Sequence, residues 1–176
     1  MRSRILLIAA LVNWPNLSGA VPQPAHEHSR AEFQFTLDIP FADVAPLFGG
    51  WGERAWIDGW NPEFLHPTPP RDQEGAVFEV GPGAAKRTFI TTLFDLAAGR
   101  MQHVFFVANV QVVKIDLCLN RLGARGTEVR VVYERTALTP EAGVEVRAAA
   151  DRDRVQGERW KALIDRYWRG RQTGSR

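Results

Sequence analysis

Two neighbouring stretches of strict alternation constrain this chain more than any other feature. Val113, Ile115, Leu117 and Leu119 alternate with Lys114, Asp116, Cys118 and Asn120, while Val129, Val131 and Tyr133 alternate with Glu128, Arg130 and Glu134. A period of two sends successive side chains to opposite faces, so both stretches read as strands with one dry face and one wet one. The short turn from Gly123 to Gly126 makes them an antiparallel pair, and such a pair needs a partner layer to cover its dry face.

The same pattern runs through much of the chain. Phe33, Phe35, Leu37 and Ile39 alternate with Gln34, Thr36 and Asp38, and Pro40 ends that strand. Further strands are expected near Ala76–Val80, Lys86–Asp95, Met101–Val107, Val110–Asn120 and Thr127–Leu138, separated by turns at Gly81-Pro82-Gly83, Ala97-Ala98-Gly99 and Ala108-Asn109. Phe41, Val44, Ala45 and Phe48 fall on one side of a short helix that Pro46 and Gly49-Gly50 keep brief. A second helical turn is expected at Glu53–Ile57. Beyond it, the prolines at 62, 67, 69 and 70 impose an irregular loop.

Thr139-Pro140-Glu141 carries the signals of a helix start, with Gly143 delaying it by a few residues. Beyond it Trp160, Leu163, Ile164, Tyr167 and Trp168 form an apolar stripe at helical spacing, so a long C-terminal helix is the expected cover for the sheet. The fold class is therefore α+β: a curved antiparallel sheet of about six strands around a long C-terminal helix, with two short helices after the first strand.

A chain of 176 residues is the size of one domain, and 45% apolar with 24% charged residues is the composition of a chain that buries a core. Arg2 and Arg4 precede the apolar run Ile5–Val12, and Ser18-Gly19-Ala20 comes after it, so residues 1–20 read as a signal peptide and the protein as exported, to the periplasm or outside. Without that signal the chain would be cytoplasmic. The run is shorter than the roughly 20 residues a membrane span needs, and no integral membrane segment is expected in the mature chain. Residues 21–31 read as a flexible leader, 32–170 as the domain and 171–176 as a disordered tail.

Removing the signal peptide takes away two arginines and no acid, which lowers the formal charge from +2 to zero. A balanced chain gives no basis for binding nucleic acid, and the arginines from Arg147 onward are interleaved with Asp151, Asp153, Glu158 and Asp165 as on a solvated helix face. Cys118 is the single cysteine, which excludes an intramolecular disulfide and a cysteine-based zinc site within one chain. His26-Glu27-His28 lacks the fixed geometry of a metal site. No metal or cofactor is expected, and nothing in the sequence bears on oligomeric state.

The order strand, short helices, five strands, long helix resembles the START-like superfamily, also called SRPBCC, which includes polyketide cyclases and dehydratases. Trp56-Ile57-Asp58-Gly59-Trp60-Asn61-Pro62-Glu63-Phe64, Phe94-Asp95 before a turn, and Tyr133-Glu134-Arg135-Thr136-Ala137-Leu138-Thr139-Pro140-Glu141 before the last helix are similar to bacterial members. The resemblance spans about Glu32 to Gly170. It implies a helix-grip fold with a cavity between sheet and helix, and a hydrophobic small molecule as partner. Glu145–Gln156 departs from the pattern in being unusually polar.

Within that frame Trp56, Trp60 and Phe64 read either as the wall of a ligand site or as core packing. His103 depends on register. A three-residue turn after Val107 sets it opposite Ile115 on the dry face, and a two-residue turn sets it opposite Lys114 in solvent. Phe105, Ile115, Val131 and Tyr133 share the inner parity. Arg135 shares it too, and must either find a carboxylate or ligand partner or reach out to water from the sheet margin. Asp58, Glu63, His66 and Asp95 read as capping or turn residues. No HExxH, phosphate-binding loop, nucleophile elbow or dinucleotide fingerprint is present. Three functions are compatible with these residues: carriage of a hydrophobic molecule, a cyclase- or dehydratase-like reaction in the same cavity, or a protein or membrane interaction module.

Overall fold

The computed structural model describes residues 25–174, so the export signal lies outside the described residues. Seven strands form one antiparallel sheet in the order β1-β7-β6-β5-β4-β3-β2: β1 His28–Leu37, β2 Glu63–His66, β3 Val77–Val80, β4 Arg87–Asp95, β5 Arg100–Val107, β6 Gln111–Leu122 and β7 Gly126–Ala137. Between β1 and β2 lie helix α1, Phe41–Val44, and two 3-10 turns, Ala45–Leu47 and Gly52–Ala55. Two C-terminal helices, α2 at Gly143–Arg154 and α3 at Gln156–Gly174, lie against β1, and α2 also against β7.

Alternation fixes the two faces. Along β6 the residues Gln111, Val113, Ile115, Leu117 and Leu119 are buried, and their counterparts on β7 are Thr127, Val129, Val131, Tyr133, Arg135 and Ala137. Pairing of Val113 with Arg135, Ile115 with Tyr133 and Leu117 with Val131 keeps the two buried rows in register. On the outer face Arg130 meets Glu32 at 2.5 Å and Lys114 meets Glu134 at 2.7 Å. The turn between β4 and β5 needs Gly99, whose φ is +65° and whose missing Cβ would lie 2.5 Å from the Leu119 carbonyl oxygen.

Four local features depart from the sequence reading. The sheet has seven strands, because Glu63–Phe64 pairs with Phe78–Glu79 in a stretch that reads as loop. Order starts before Glu32: β1 begins at His28, and His26 and His28 bond the Ala137 carbonyl and the Thr136 hydroxyl at 2.9 and 3.0 Å, within the segment expected to be a flexible leader. The C-terminal helix is interrupted by a single turn residue, Val155, and runs on to Gly174, into the segment expected to be a disordered tail. Its polar first half is well anchored, with Val146 and Ala150 buried against the sheet.

The core does not fill the sheet evenly. Phe33, Phe35, Leu37, Val129, Val131 and Ile164 are all buried where β1, paired with β7, meets α3. Toward β3, β4 and β5 the inner face instead lines an open space.

Candidate functional site

That space is a cavity of about 450 Å³, floored by the inner faces of β3–β7 and covered by the Gly52–Ala55 turn and the start of α3. Its size is that of a small-molecule site. Aromatic rings form part of the wall: Phe78, Phe89 and Phe105 follow one another at 4.9 and 4.8 Å, and Trp60 meets Phe89 edge-on at 5.8 Å. Trp56 and Trp60 are each held by the indole N–H, Trp56 donating to the Leu47 carbonyl at 2.8 Å and Trp60 to that of Gly50 at 2.9 Å. Trp160 of α3 closes over them, 5.4 Å from Trp56.

Of the nine residues singled out in the sequence, Trp56, Trp60, His103, Phe105, Ile115, Tyr133 and Arg135 line the cavity. Two do not. Phe64 sits behind the wall, stacked on Phe78 at 5.1 Å and against Trp51, because β2 lies at the sheet edge. Val131 has the inner parity but no exposed surface, because it falls in the close-packed half of the inner face.

The turn after Val107 contains three residues, with Asn109 in the left-handed region at φ 60°, and His103 accordingly pairs with Ile115 and faces inward. One ring nitrogen, Nδ1, lies 3.1 Å from the Thr91 hydroxyl. The other, Nε2, is buried without a protein partner. Burial holds the imidazole down to about 4, so at neutral pH it is uncharged, with one donor and one acceptor nitrogen. Whichever role Thr91 leaves to Nε2, a buried polar atom facing an apolar cavity is incomplete without a guest or water.

Arg135 satisfies the requirement its position created. It donates to Asp153 of α2 through Nε at 2.6 Å and Nη2 at 3.0 Å, and through Nη1 to Gln111 at 3.0 Å. The ion pair is almost wholly buried, so both charges need each other. Its guanidinium also lies over the Tyr133 ring, 5.1 Å from the centroid. Burial, and after it the charges of Asp153 and Glu53, raises the Tyr133 hydroxyl, which stays protonated and neutral.

Glu53 is a wall residue that no local sequence pattern marks, since an acid in a short polar turn reads as exposed. It is half-buried and lines the cavity. Burial, then the nearby charge of Asp72, pushes its carboxyl up to about 8. Asp72 in turn accepts the backbone N–H groups of Trp51 and Gly52 at 2.8 and 2.9 Å, which pins the turn carrying Glu53. Asp153 has one signal in the sequence, the need of an inward Arg135 for a carboxylate. Among the described residues no group of three His, Cys, Asp or Glu could hold a metal ion, and no helix is long and apolar enough to cross a membrane.

No protein-family model matches the sequence, and no curated protein does. Solved structures do. The Zhui aromatase/cyclase from Streptomyces sp. R1128 superposes with a TM-score of 0.60 at 16% identity, over 81% of this chain and 95% of that one. Norcoclaurine synthase from Thalictrum flavum, solved with dopamine and hydroxybenzaldehyde, gives 0.56 at 11% identity over 86% and 94%. A solution structure of a Thermobifida fusca protein gives 0.58 at 19% identity over 80% and 93%. At these identities the likeness is one of fold, and the fold is the helix grip, a curved antiparallel sheet around a long C-terminal helix.

Proposed function

We propose that this protein binds a hydrophobic small molecule in the cavity beneath β3–β7. The observation that carries the reading is Nε2 of His103, a buried and unpartnered polar atom set in a wall of stacked aromatic rings. Rings give such a site most of its binding surface, and one fixed polar atom gives it orientation. The shared fold with proteins that act on or accommodate small organic molecules supports the same reading. Native mass spectrometry of protein purified from its own host tests it: an added mass of a few hundred daltons, lost on denaturation, is the expected result. A bare mass, together with no titratable binding of the neutral fluorophore N-phenyl-1-naphthylamine, would overturn it.

A second reading, catalysis similar to that of polyketide cyclases or dehydratases, is favoured by Glu53. A carboxyl still protonated at neutral pH and turned into an apolar cavity can deliver its proton to a leaving hydroxyl or to a carbonyl oxygen. Turnover of candidate hydroxy-ketones that Glu53→Gln abolishes, with fluorophore binding intact, would establish it. Export through residues 1–20 belongs to the same proposal, with Val21 as the first mature residue; N-terminal sequencing that finds only the full-length chain would sink it.

A further inference from the structure

The charges around the cavity do not balance. Besides the neutral His103 and Tyr133, two carboxyl and three guanidinium side chains line it: Glu53, Asp153, Arg87, Arg135 and Arg159. Asp153 is taken up by Arg135 in a two-point pair. Arg87 and Arg159 have no ion pair among the described residues, although Lys86, the residue before Arg87, is matched by Glu79 at 2.7 Å and Glu63 at 3.7 Å. The burial that keeps Glu53 protonated removes the one remaining carboxylate that would neutralise them.

Position adds to the imbalance. Arg87, Arg159 and Gly81 are the lining residues that stay exposed, so they mark the opening. Arg87 opens β4, and its guanidinium lies 5.8 Å from the centroid of the Phe105 ring, with the paired Arg135 guanidinium 6.0 Å from the same centroid. Arg159 lies in the first turn of α3, on the element that covers the cavity. Two free guanidiniums therefore stand at the rim of an aromatic chamber whose buried His103 Nε2 is itself without a partner. Guanidinium groups match oxyanions in geometry as well as charge, and at a rim they hold such a group without removing it from water.

We propose that the cavity takes an organic anion, with an apolar ring-bearing body inside, one oxyanion head group held at the mouth by Arg87 and Arg159, and a neutral polar group on the body meeting His103 Nε2. This rests on the binding function proposed above and adds the ligand's charge and its direction of entry.

Two fluorophores with the same body test it: N-phenyl-1-naphthylamine, which is neutral, and 1-anilinonaphthalene-8-sulfonate, which adds one sulfonate. Both are titrated at low salt against the full domain and against Arg87→Gln, Arg159→Gln and the double variant. Arg125→Gln, in the exposed β6–β7 turn, is the control with the same loss of net charge. Far-UV circular dichroism and melting curves verify that each variant is folded. The expected result is a sulfonate preference of about tenfold or more, falling by about threefold per rim arginine while the neutral probe and the Arg125→Gln protein are unaffected. Equal binding of both probes, or a sulfonate preference that Arg125→Gln lowers as much as the rim variants do, overturns the anion proposal and leaves the binding function standing. Failure of both probes to bind overturns the binding function, and the anion proposal with it.

Discussion

Val131 and Tyr133 are two residues apart on one strand, face the same way, and belong to different regions of the molecule. Val131, paired with Phe33 on one side and Leu117 on the other, has no exposed surface, while Tyr133 looks into a cavity shared with His103 and Phe105. The difference teaches that alternation tells which face of a strand is dry but not whether the dry face is filled or hollow. Filling is decided by what lies across from it. Ile164 is fully buried on α3, which lies against β1, whereas toward β3–β5 the covering elements are a 3-10 turn and the start of α3, with the cavity between them and the sheet.

The boundary between the two regions is where the comparison breaks most easily. Asp153→Ala leaves Arg135 buried without its carboxylate and is expected to cost about 3 to 5 kcal/mol in urea unfolding. A loss under about 1 kcal/mol would mean that the guanidinium finds water through the cavity, and that the boundary is wet.

The packed side is tested by truncation. Ile164→Ala should cost about 3 kcal/mol by the same measurement, since a fully buried side chain leaves a void that close-packed neighbours cannot fill. Overfilling that side is also costly: Val131→Trp is expected to lose about 1 to 3 kcal/mol and so is not a clean probe of the cavity.

Acid and base titration sharpens the hollow side. His103 has its folded pKa lowered from 6.5 to about 4, so the unfolded chain binds the proton first and stability falls as pH drops from 6.5 toward 4, by at most about 3 kcal/mol. Glu53 has its folded pKa raised from 4.5 to about 8, so the folded chain keeps a proton the unfolded chain has released, and stability falls as pH rises from 4.5 to 8. The two slopes oppose each other between pH 4.5 and 6.5. With rising pH, His103→Gln should remove part of the rise and Glu53→Gln part of the fall, and identical profiles for parent and variants would place both groups in water.

The smallest effect on stability is expected from filling the hollow side. Leu117 lines the cavity, so Leu117→Phe adds its extra carbons to empty space, shifting stability by less than about 1 kcal/mol while weakening N-phenyl-1-naphthylamine about tenfold. A loss like that of Val131→Trp would show that the two regions are packed alike.

Much of the fold is legible in the order of residues alone. The alternation of β1, β5, β6 and β7 and the stripe on α3 specify an antiparallel sheet under a helix, and the dependence of His103 on turn length is contained in the pattern itself. The rest is hidden for physical reasons. β2 has three exposed residues of four and flanking prolines, so it carries no period to read. Asp153 is flanked by Arg152 and Arg154, and a carboxylate among arginines looks solvated until the buried guanidinium across from it is known. Val131 reads as a cavity residue because parity carries no information on depth.

The turn at Val155 divides the helical layer into two pieces that can open separately. α2 is tied down by its link to Arg135 and by Arg147 bonding Glu27 at 2.5 Å; α3 is tied by the rings around Trp160. The seam falls between Asp153 and Gln156, both of which border the cavity. Two short rods joined there can part without either one melting. Hydrogen exchange would see this as rapid turnover confined to the amides around residue 155, with the sheet floor unchanged beneath.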